Sequence, residues 1–251
     1  MKTLTFYNAK GGVGKTTSAL AVASILARKS SVCVIDLDLT QNSASTILLP
    51  QSPEHDHSIM SVLLYGMPIM EAVSPSKFDH IGIIPCYMGQ VDESTLSKNS
   101  FPKLEETLKF AIRELEGFDY LLIDCPPAMN ALTRNAIVAS DGVVVPFKND
   151  ASAYKGIATM LKESTKIKEL YNPSLEFLGV FLTQDKNTTI NREIKEQLAA
   201  SLQKRFLKTT VRDSVVVPES SYAGEPVPIY QPKSKVAEDY VKLTQEIIEN
   251  L

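Results

Sequence analysis

The residues Lys10-Gly11-Gly12-Val13-Gly14-Lys15-Thr16-Thr17 carry the clearest chemistry in the chain. They follow a short apolar run, Leu4-Thr5-Phe6-Tyr7, and open a segment rich in Ala and Leu. Glycines in such a loop let backbone N–H groups close on phosphate oxygens, and the following helix turns its positive dipole end towards them. In that setting Lys15 reaches the β- and γ-phosphates of a nucleotide, and the Thr16 hydroxyl ligates Mg²⁺. Two features depart from the plain pattern: Ala9 stands where the first Gly is expected, and a second lysine, Lys10, starts the loop. Lys10 has little to do in a monomer whose loop backbone already surrounds its own phosphates. Reaching the phosphates of a second subunit, it would supply transition-state charge in trans, as an arginine finger does. A solvated loop lysine is the plain alternative.

Three aspartates complete the set. Val32-Cys33-Val34-Ile35 leads into Asp36-Leu37-Asp38, and Leu121-Leu122-Ile123 leads into Asp124-Cys125-Pro126-Pro127. Carboxylates at strand C-termini beside a phosphate loop sit where ligands bind in open α/β sheets. Asp36 and Asp38, two apart, leave the strand on the same side. The other reading of this pair is a helix cap or a surface pair. An apolar strand ending in Asp124 holds Mg²⁺ directly or through water, and Pro126-Pro127 fixes the turn beyond it. Cys125 reads as a packing residue.

The loop resembles the deviant Walker A motif of the ParA/MinD family of ATPases, with Lys10 in the place of that family's signature lysine. The resemblance implies ATP and Mg²⁺ as cofactors and an ATP-sandwich homodimer with two nucleotides at the interface. Gly11, Gly12, Val13, Gly14 and Thr17 would join Lys10, Lys15 and Thr16 around the nucleotide. Asp36 matches the aspartate of the Mg²⁺ shell, Asp38 the residue that orients or activates water, and Asp124 the Walker B aspartate. Leu39-Thr40-Gln41-Asn42 lacks the usual proline of switch I. Leu132-Thr133 and Asn135-Ala136 continue the resemblance beyond switch II. Arg212-Asp213-Ser214-Val215 to Glu219, then Gly224-Glu225-Pro226-Val227, is similar to the late segment flanking the adenine, which makes Arg212 and Asp213 nucleotide contacts. Pro232-Lys233-Ser234-Lys235, with Ala237-Glu238, matches the entry to the closing helix.

These groups need a scaffold that brings strand ends together. Apolar runs alternate with helix-length amphipathic segments, which implies a mostly parallel, doubly wound α/β sheet covered on both faces. Helices are expected at 16–29, 104–115, 153–170, 190–206 and 236–251. Strands are expected at 32–35, 81–84, 120–123, 142–145 (closed by Pro146) and 177–182. Val215-Val216-Val217 reads as a short strand or a bulged loop, and the stretch 50–75 as a surface excursion. One domain, 1–251, is the expectation.

The chain has 251 residues, 44% of them hydrophobic and 22% charged, so it can bury a sizeable core. Cys33, Cys86 and Cys125 are widely spaced and suit neither a disulfide framework nor a four-thiolate metal site, which makes a reducing cytoplasm the simplest setting. Lys2 to Asn8 is strand-like with no signal-peptide character, and no apolar run approaches the roughly 20 residues of a membrane span. The closing segment carries Glu238, Asp239, Glu246 and Glu249 against Lys242, unlike a basic membrane-surface helix.

Net charge is −3, which argues against a wholly basic nucleic-acid binder. The charge is uneven: Lys186, Arg192, Lys195, Lys204, Arg205, Lys208 and Arg212 face only Glu193 and Glu196 within that stretch, and Lys233 and Lys235 follow. Such a patch could hold a phosphate backbone without sequence preference, or it could be an ordinary solvated face. Val215 stands where many chromosomal ParA-type proteins have a further arginine. The resemblance implies a partition ATPase. Its ATP dimer binds double-stranded DNA non-specifically, associates with the nucleoid, and hydrolyses ATP on stimulation by a ParB-like or smaller adaptor protein. A family member that positions a protein assembly, or acts at a membrane surface, is the other reading. With no helix-turn-helix segment ahead of the loop, the chain resembles the small single-domain ParA proteins.

Overall fold

The computed structural model describes residues 1–38, 43–50, 57–87, 104–149, 153–186 and 188–251. Its strands are β1 (Lys2–Phe6), β2 (Val32–Asp36), β3 (Ser74–Pro75), β4 (Ile81–Ile84), β5 (Tyr120–Asp124), β6 (Gly142–Lys148) and β7 (Glu176–Thr183). They form one sheet in the order β3-β4-β2-β5-β1-β6-β7. Every pairing is parallel except the short edge strand β3 against β4. From β1 the chain runs outward to β2, β3 and β4, then returns through β5 and continues past β1 to β6 and β7; ligands bind outside the strand C-termini where connections leave in opposite directions.

Period-two alternation divides the strands between two cores. Cys33 and Ile35 of β2, with Leu121 and Ile123 of β5, face one side. Val32, Val34 and Leu122 face the other, beside Leu4 and Phe6 of β1. Both faces are covered, so these strands read as unbroken apolar runs. Helix α1 (Lys15–Leu26) is buried from Ser18 through Ser24. Its alanines 19, 21 and 23 let it lie close to the sheet on one side and the closing helix on the other. That closing helix, Lys235–Glu249, buries Val236, Tyr240, Leu243 and Ile247. These recur every three or four residues, so its apolar stripe is a core face.

Several boundaries differ from the sequence expectation, each for a local reason. β6 runs through Pro146 to Lys148. Val144 accepts the Tyr7 N–H from the β1 side, so residue 146 faces the same side, where β1 has already ended and no backbone partner asks for an N–H. Residues 215–217 are not a strand or bulge: a helix spans Val216–Tyr222. The Ser214 hydroxyl accepts the Val216 N–H at 3.3 Å, and Pro218 sits in the first turn, where its missing N–H costs nothing. These signals outweigh the β preference of three valines.

The described part of 50–75 belongs to the core. Ser58 caps a helix Ile59–Tyr65 that ends at Gly66 with φ 71°, and Ile59, Met60, Val62 and Leu63 are buried. The helix expected at 104–115 ends at Ala111 and continues as a 3₁₀ turn Ile112–Glu114. The one expected at 190–206 spans Thr189–Leu202, then turns through Gln203–Arg205 so that Phe206 bridges to Val180 of β7. Among the described residues, no helix is long and apolar enough to cross a membrane.

Candidate functional site

β1 stops at Phe6, and the loop to α1 rises above the C-terminal edge of the sheet. Asn8 braces its entry: its Oδ1 accepts the Lys10 N–H at 3.0 Å, and its Nδ2 donates to the Pro146 carbonyl at 2.8 Å. Gly12 and Gly14 adopt φ of 70° and 84°, the left-handed region that glycine enters without a Cβ penalty. Ala9 has no such φ, so alanine is tolerated where the plain pattern has glycine. Ala9 through Gly12 are exposed, which places Lys10 on the loop's outer crest. Gly14 is the N-cap of α1, and no side chain caps the helix there, so its first-turn N–H groups are left to a ligand.

Lys15 lies beneath this loop, 6% exposed, and its Nζ donates to the Lys10 carbonyl at 3.1 Å. Burial lowers its pKa, and the nearby Asp124 and Asp38 carboxylates oppose that shift. Phe6, Asp124 and Asp36 are register neighbours across β1, β5 and β2, so the loop and both aspartates share one edge.

The two aspartates differ in their partners. The Asp36 carboxylate accepts the Asp38 N–H at 2.9 Å, the Ser45 N–H at 2.8 Å and the Ser45 hydroxyl at 2.5 Å. Burial raises its pKa while those bonds oppose the rise. Asp124 is fully buried, and neither of its oxygens has a hydrogen bond of ordinary geometry. Burial and the neighbouring Asp36 push its pKa well up, and the Thr16 hydroxyl and Lys15 ammonium pull the other way. Among the described residues it is the one carboxylate left in this state. An unpartnered buried carboxylate beside a hydroxyl and a glycine loop fits a divalent cation. Thr16 and Asp124 would hold Mg²⁺ there, with Asp36 behind them. Asp38, 9% exposed, stands at the edge of the same cluster. The switch I residues 39–42 lie outside the described residues.

A cavity of about 410 Å³ adjoins the loop, lined by Gly12, Gly14, Thr17, Arg212, Asp213 and Tyr240 among others. It has room for the base and sugar of a nucleotide whose phosphates lie on the loop. The Arg212 guanidinium does not swing freely here. Its Nε and Nη2 bond to the two Asp239 oxygens at 2.6 and 2.7 Å, a bidentate pair across to the closing helix. Asp213 pairs with Lys186 at 3.5 Å.

Three contributors were not anticipated from the sequence. The Thr183 hydroxyl bonds the Val13 and Phe147 carbonyls at 2.9 and 3.0 Å, the Gln184 amide donates to the Gly12 carbonyl at 2.9 Å, and Ser45 holds Asp36. Thr183 ends strand β7 at the ligand-binding edge and Gln184 follows it, and a polar pair after an apolar run is the available signal. Of the basic residues, Lys186, Lys195 and Arg212 are engaged by Asp213, Asp185 and Asp239. Arg192, Lys204, Arg205, Lys208, Lys233 and Lys235 are exposed.

Residues 1–177 match the family model described as an AAA domain. The chromosome partitioning protein ParA of Myxococcus xanthus is 30% identical over 96% of this chain and 86% of its own length. ParA of Caulobacter vibrioides is 30% identical over 99% and 94%. The cobyrinic acid a,c-diamide synthase of Mycobacterium smegmatis, solved with ADP and magnesium, superposes with a TM-score of 0.81 at 26% identity, over 98% of this chain and 93% of that one. With the loop, the paired strand-end aspartates and these likenesses together, the chain belongs to the ParA/MinD family of P-loop ATPases, with ATP and magnesium as its cofactors.

Proposed function

We propose that residues 1–251 act as one ParA-type partition switch. Two copies close over two ATP molecules, the dimer binds DNA without sequence preference, and a ParB-like or smaller adaptor triggers hydrolysis and release. The observation that carries this reading is the division of labour between two lysines on one loop. Lys15 is buried against its own site, while Lys10 sits on the exposed crest. A cation on the crest is placed to meet the phosphates of a facing copy.

Within each subunit, Lys15 and the loop N–H groups hold the β- and γ-phosphates. Asp38 orients water for in-line attack, and Lys10 from the facing copy stabilises charge on the transferring group. Loss of the γ-phosphate then removes the contact that joins the copies. Six exposed cations, Arg192, Lys204, Arg205, Lys208, Lys233 and Lys235, support a phosphate-backbone surface that follows the nucleoid in the ATP state. The membrane alternative loses its helix, because the apolar stripe of Lys235–Glu249 is already buried. Positioning of a protein assembly stays in play as the use of the same switch on other cargo.

Light scattering of size-fractionated protein with ATP tests the switch. Asp38→Ala should bind ATP and stay dimeric, with hydrolysis reduced about 100-fold, in the range of a lost general base. Lys10→Ala should weaken both ATP-dependent dimerisation and turnover. A Lys10→Ala protein that dimerises and turns over normally contradicts the cross-subunit role, and normal turnover by Asp38→Ala contradicts its assignment to water.

A further inference from the structure

Two side chains from the end of β7 hold the carbonyls of the glycine loop. The Thr183 hydroxyl, in a residue 2% exposed, lies 2.9 Å from the Val13 carbonyl and 3.0 Å from that of Phe147 in β6, donating to both. The next residue, Gln184, donates its amide to the Gly12 carbonyl at 2.9 Å. These contacts fix two successive peptide planes. In a trans peptide the C=O and the N–H point in opposite directions. The Gly12 carbonyl shares its peptide with the Val13 N–H, and the Val13 carbonyl shares its peptide with the Gly14 N–H. With both carbonyls turned towards the end of β7, both N–H groups are turned to the opposite side. Consecutive N–H groups in a loop that enters the left-handed region, as at Gly12 and Gly14, form an anion-binding concavity.

The chain makes the Gln184 contact at a backbone cost. Gln184 has φ 51°, a left-handed state that residues with a Cβ avoid. Such a state persists where its neighbours over-determine it. Thr183 is tied to the loop and to β6 on one side. On the other, the Asp185 N–H donates to the Val211 carbonyl and the Asp185 carbonyl accepts the Asp213 N–H, each at 3.0 Å. The Asp185 carboxylate also accepts from Lys195 at 2.7 Å and from Thr210 at 2.9 Å. The kink between these two anchored residues aims the Gln184 side chain at Gly12.

We propose that Thr183 and Gln184 are positioning residues for nucleotide binding. They set the Val13 and Gly14 N–H groups towards the β-phosphate before the nucleotide arrives, so that binding does not have to order a glycine-rich loop. The inference rests on ATP binding at the loop and not on the partition reading.

The test compares two probes, each with magnesium: ADP by calorimetry, and inorganic pyrophosphate by displacement of a fluorescent ADP analogue. Gln184 also borders the cavity beside the loop, and pyrophosphate, which has no base or sugar, separates loop positioning from a direct base contact. Gln184→Met keeps the length of the side chain and removes the donor. It should weaken ADP and pyrophosphate by the same factor, about five- to tenfold, the scale of one lost hydrogen bond. Its melting temperature should stay within about 3 °C of the parent. Thr183→Val should weaken both probes about tenfold or more, and Thr183→Ser, which restores the hydroxyl, should bind within about twofold of the parent. A Gln184→Met protein that loses affinity for ADP but not for pyrophosphate would make Gln184 a base contact and overturn the positioning role. Parent-like binding of both probes by Gln184→Met and Thr183→Val would overturn it as well. A parent protein that binds neither probe would overturn the loop assignment itself, and this inference with it.

Discussion

Lys15→Ala is expected to lower kcat/KM for ATP by about 10²–10³-fold, the scale seen when one preorganised donor to a developing charge is removed. Among the described residues Lys15 is the one ammonium buried beneath the loop, and its Nζ donates to the Lys10 carbonyl. That contact marks where a phosphate oxygen would compete for the same donor. Burial weakens the charged form of Lys15, and the two neighbouring aspartates oppose that effect. The substitution removes the cation and leaves those carboxylates facing each other. Steady-state kinetics with a nucleotide-binding titration check this. A variant that binds and hydrolyses ATP within threefold of the parent would contradict the loop assignment.

Asp124→Asn should separate stability from activity. The parent carboxylate is fully buried with neither oxygen in a hydrogen bond of ordinary geometry, so its charged form is costly in the nucleotide-free protein. Asparagine keeps the shape and removes the charge. The nucleotide-free variant should gain about 1–3 kcal/mol and melt a few degrees higher, while magnesium-dependent turnover falls about 100-fold.

The pH dependence follows the same group. Its folded pKa lies well above the ordinary carboxylate value, so the folded state holds the proton more tightly than the unfolded chain. Stability from this group is present below about pH 4 and is lost as pH rises through the folded value. Melting curves of the nucleotide-free protein should show that decline and the variant should not. Saturating magnesium and nucleotide should reverse it by binding the folded state alone. An Asp124→Asn protein less stable than the parent, with the same pH slope, would show that the carboxylate is satisfied in solution.

Much of this site could be read from residue order, and the reasons are physical. Strands β2 and β5 are buried on both faces and end in aspartate, so an apolar run meeting a carboxylate marks both the element and its functional end. The glycine loop is equally legible, because Gly12 and Gly14 occupy backbone conformations that other residues avoid. What stayed hidden depends on contacts between distant segments. Gln184 reaches Gly12 from a φ of 51°, a backbone state no local pattern announces. Ser45 bonds Asp36 only because the chain doubles back onto the strand end. Arg212 was read both as a nucleotide neighbour and as a DNA contact, and nothing in its own stretch foretold its pairing with Asp239 in the closing helix. The helix Val216–Tyr222 did have a readable start in Ser214 and Pro218, but three valines in a row masked it.

The most direct test of the partition switch is binding to random-sequence double-stranded DNA with ATP, with ADP and without nucleotide, across a salt series. Asp38→Ala would hold the ATP state, and Lys204→Glu with Lys208→Glu would probe the exposed cations. The account predicts binding in the ATP state alone, weakened by both substitutions. Its affinity should fall with salt at a log–log slope of about −0.9 per phosphate contact. Failure of the ATP-held Asp38→Ala dimer to bind DNA at low salt would contradict it, and would place the same ATPase switch on a protein or membrane matrix instead.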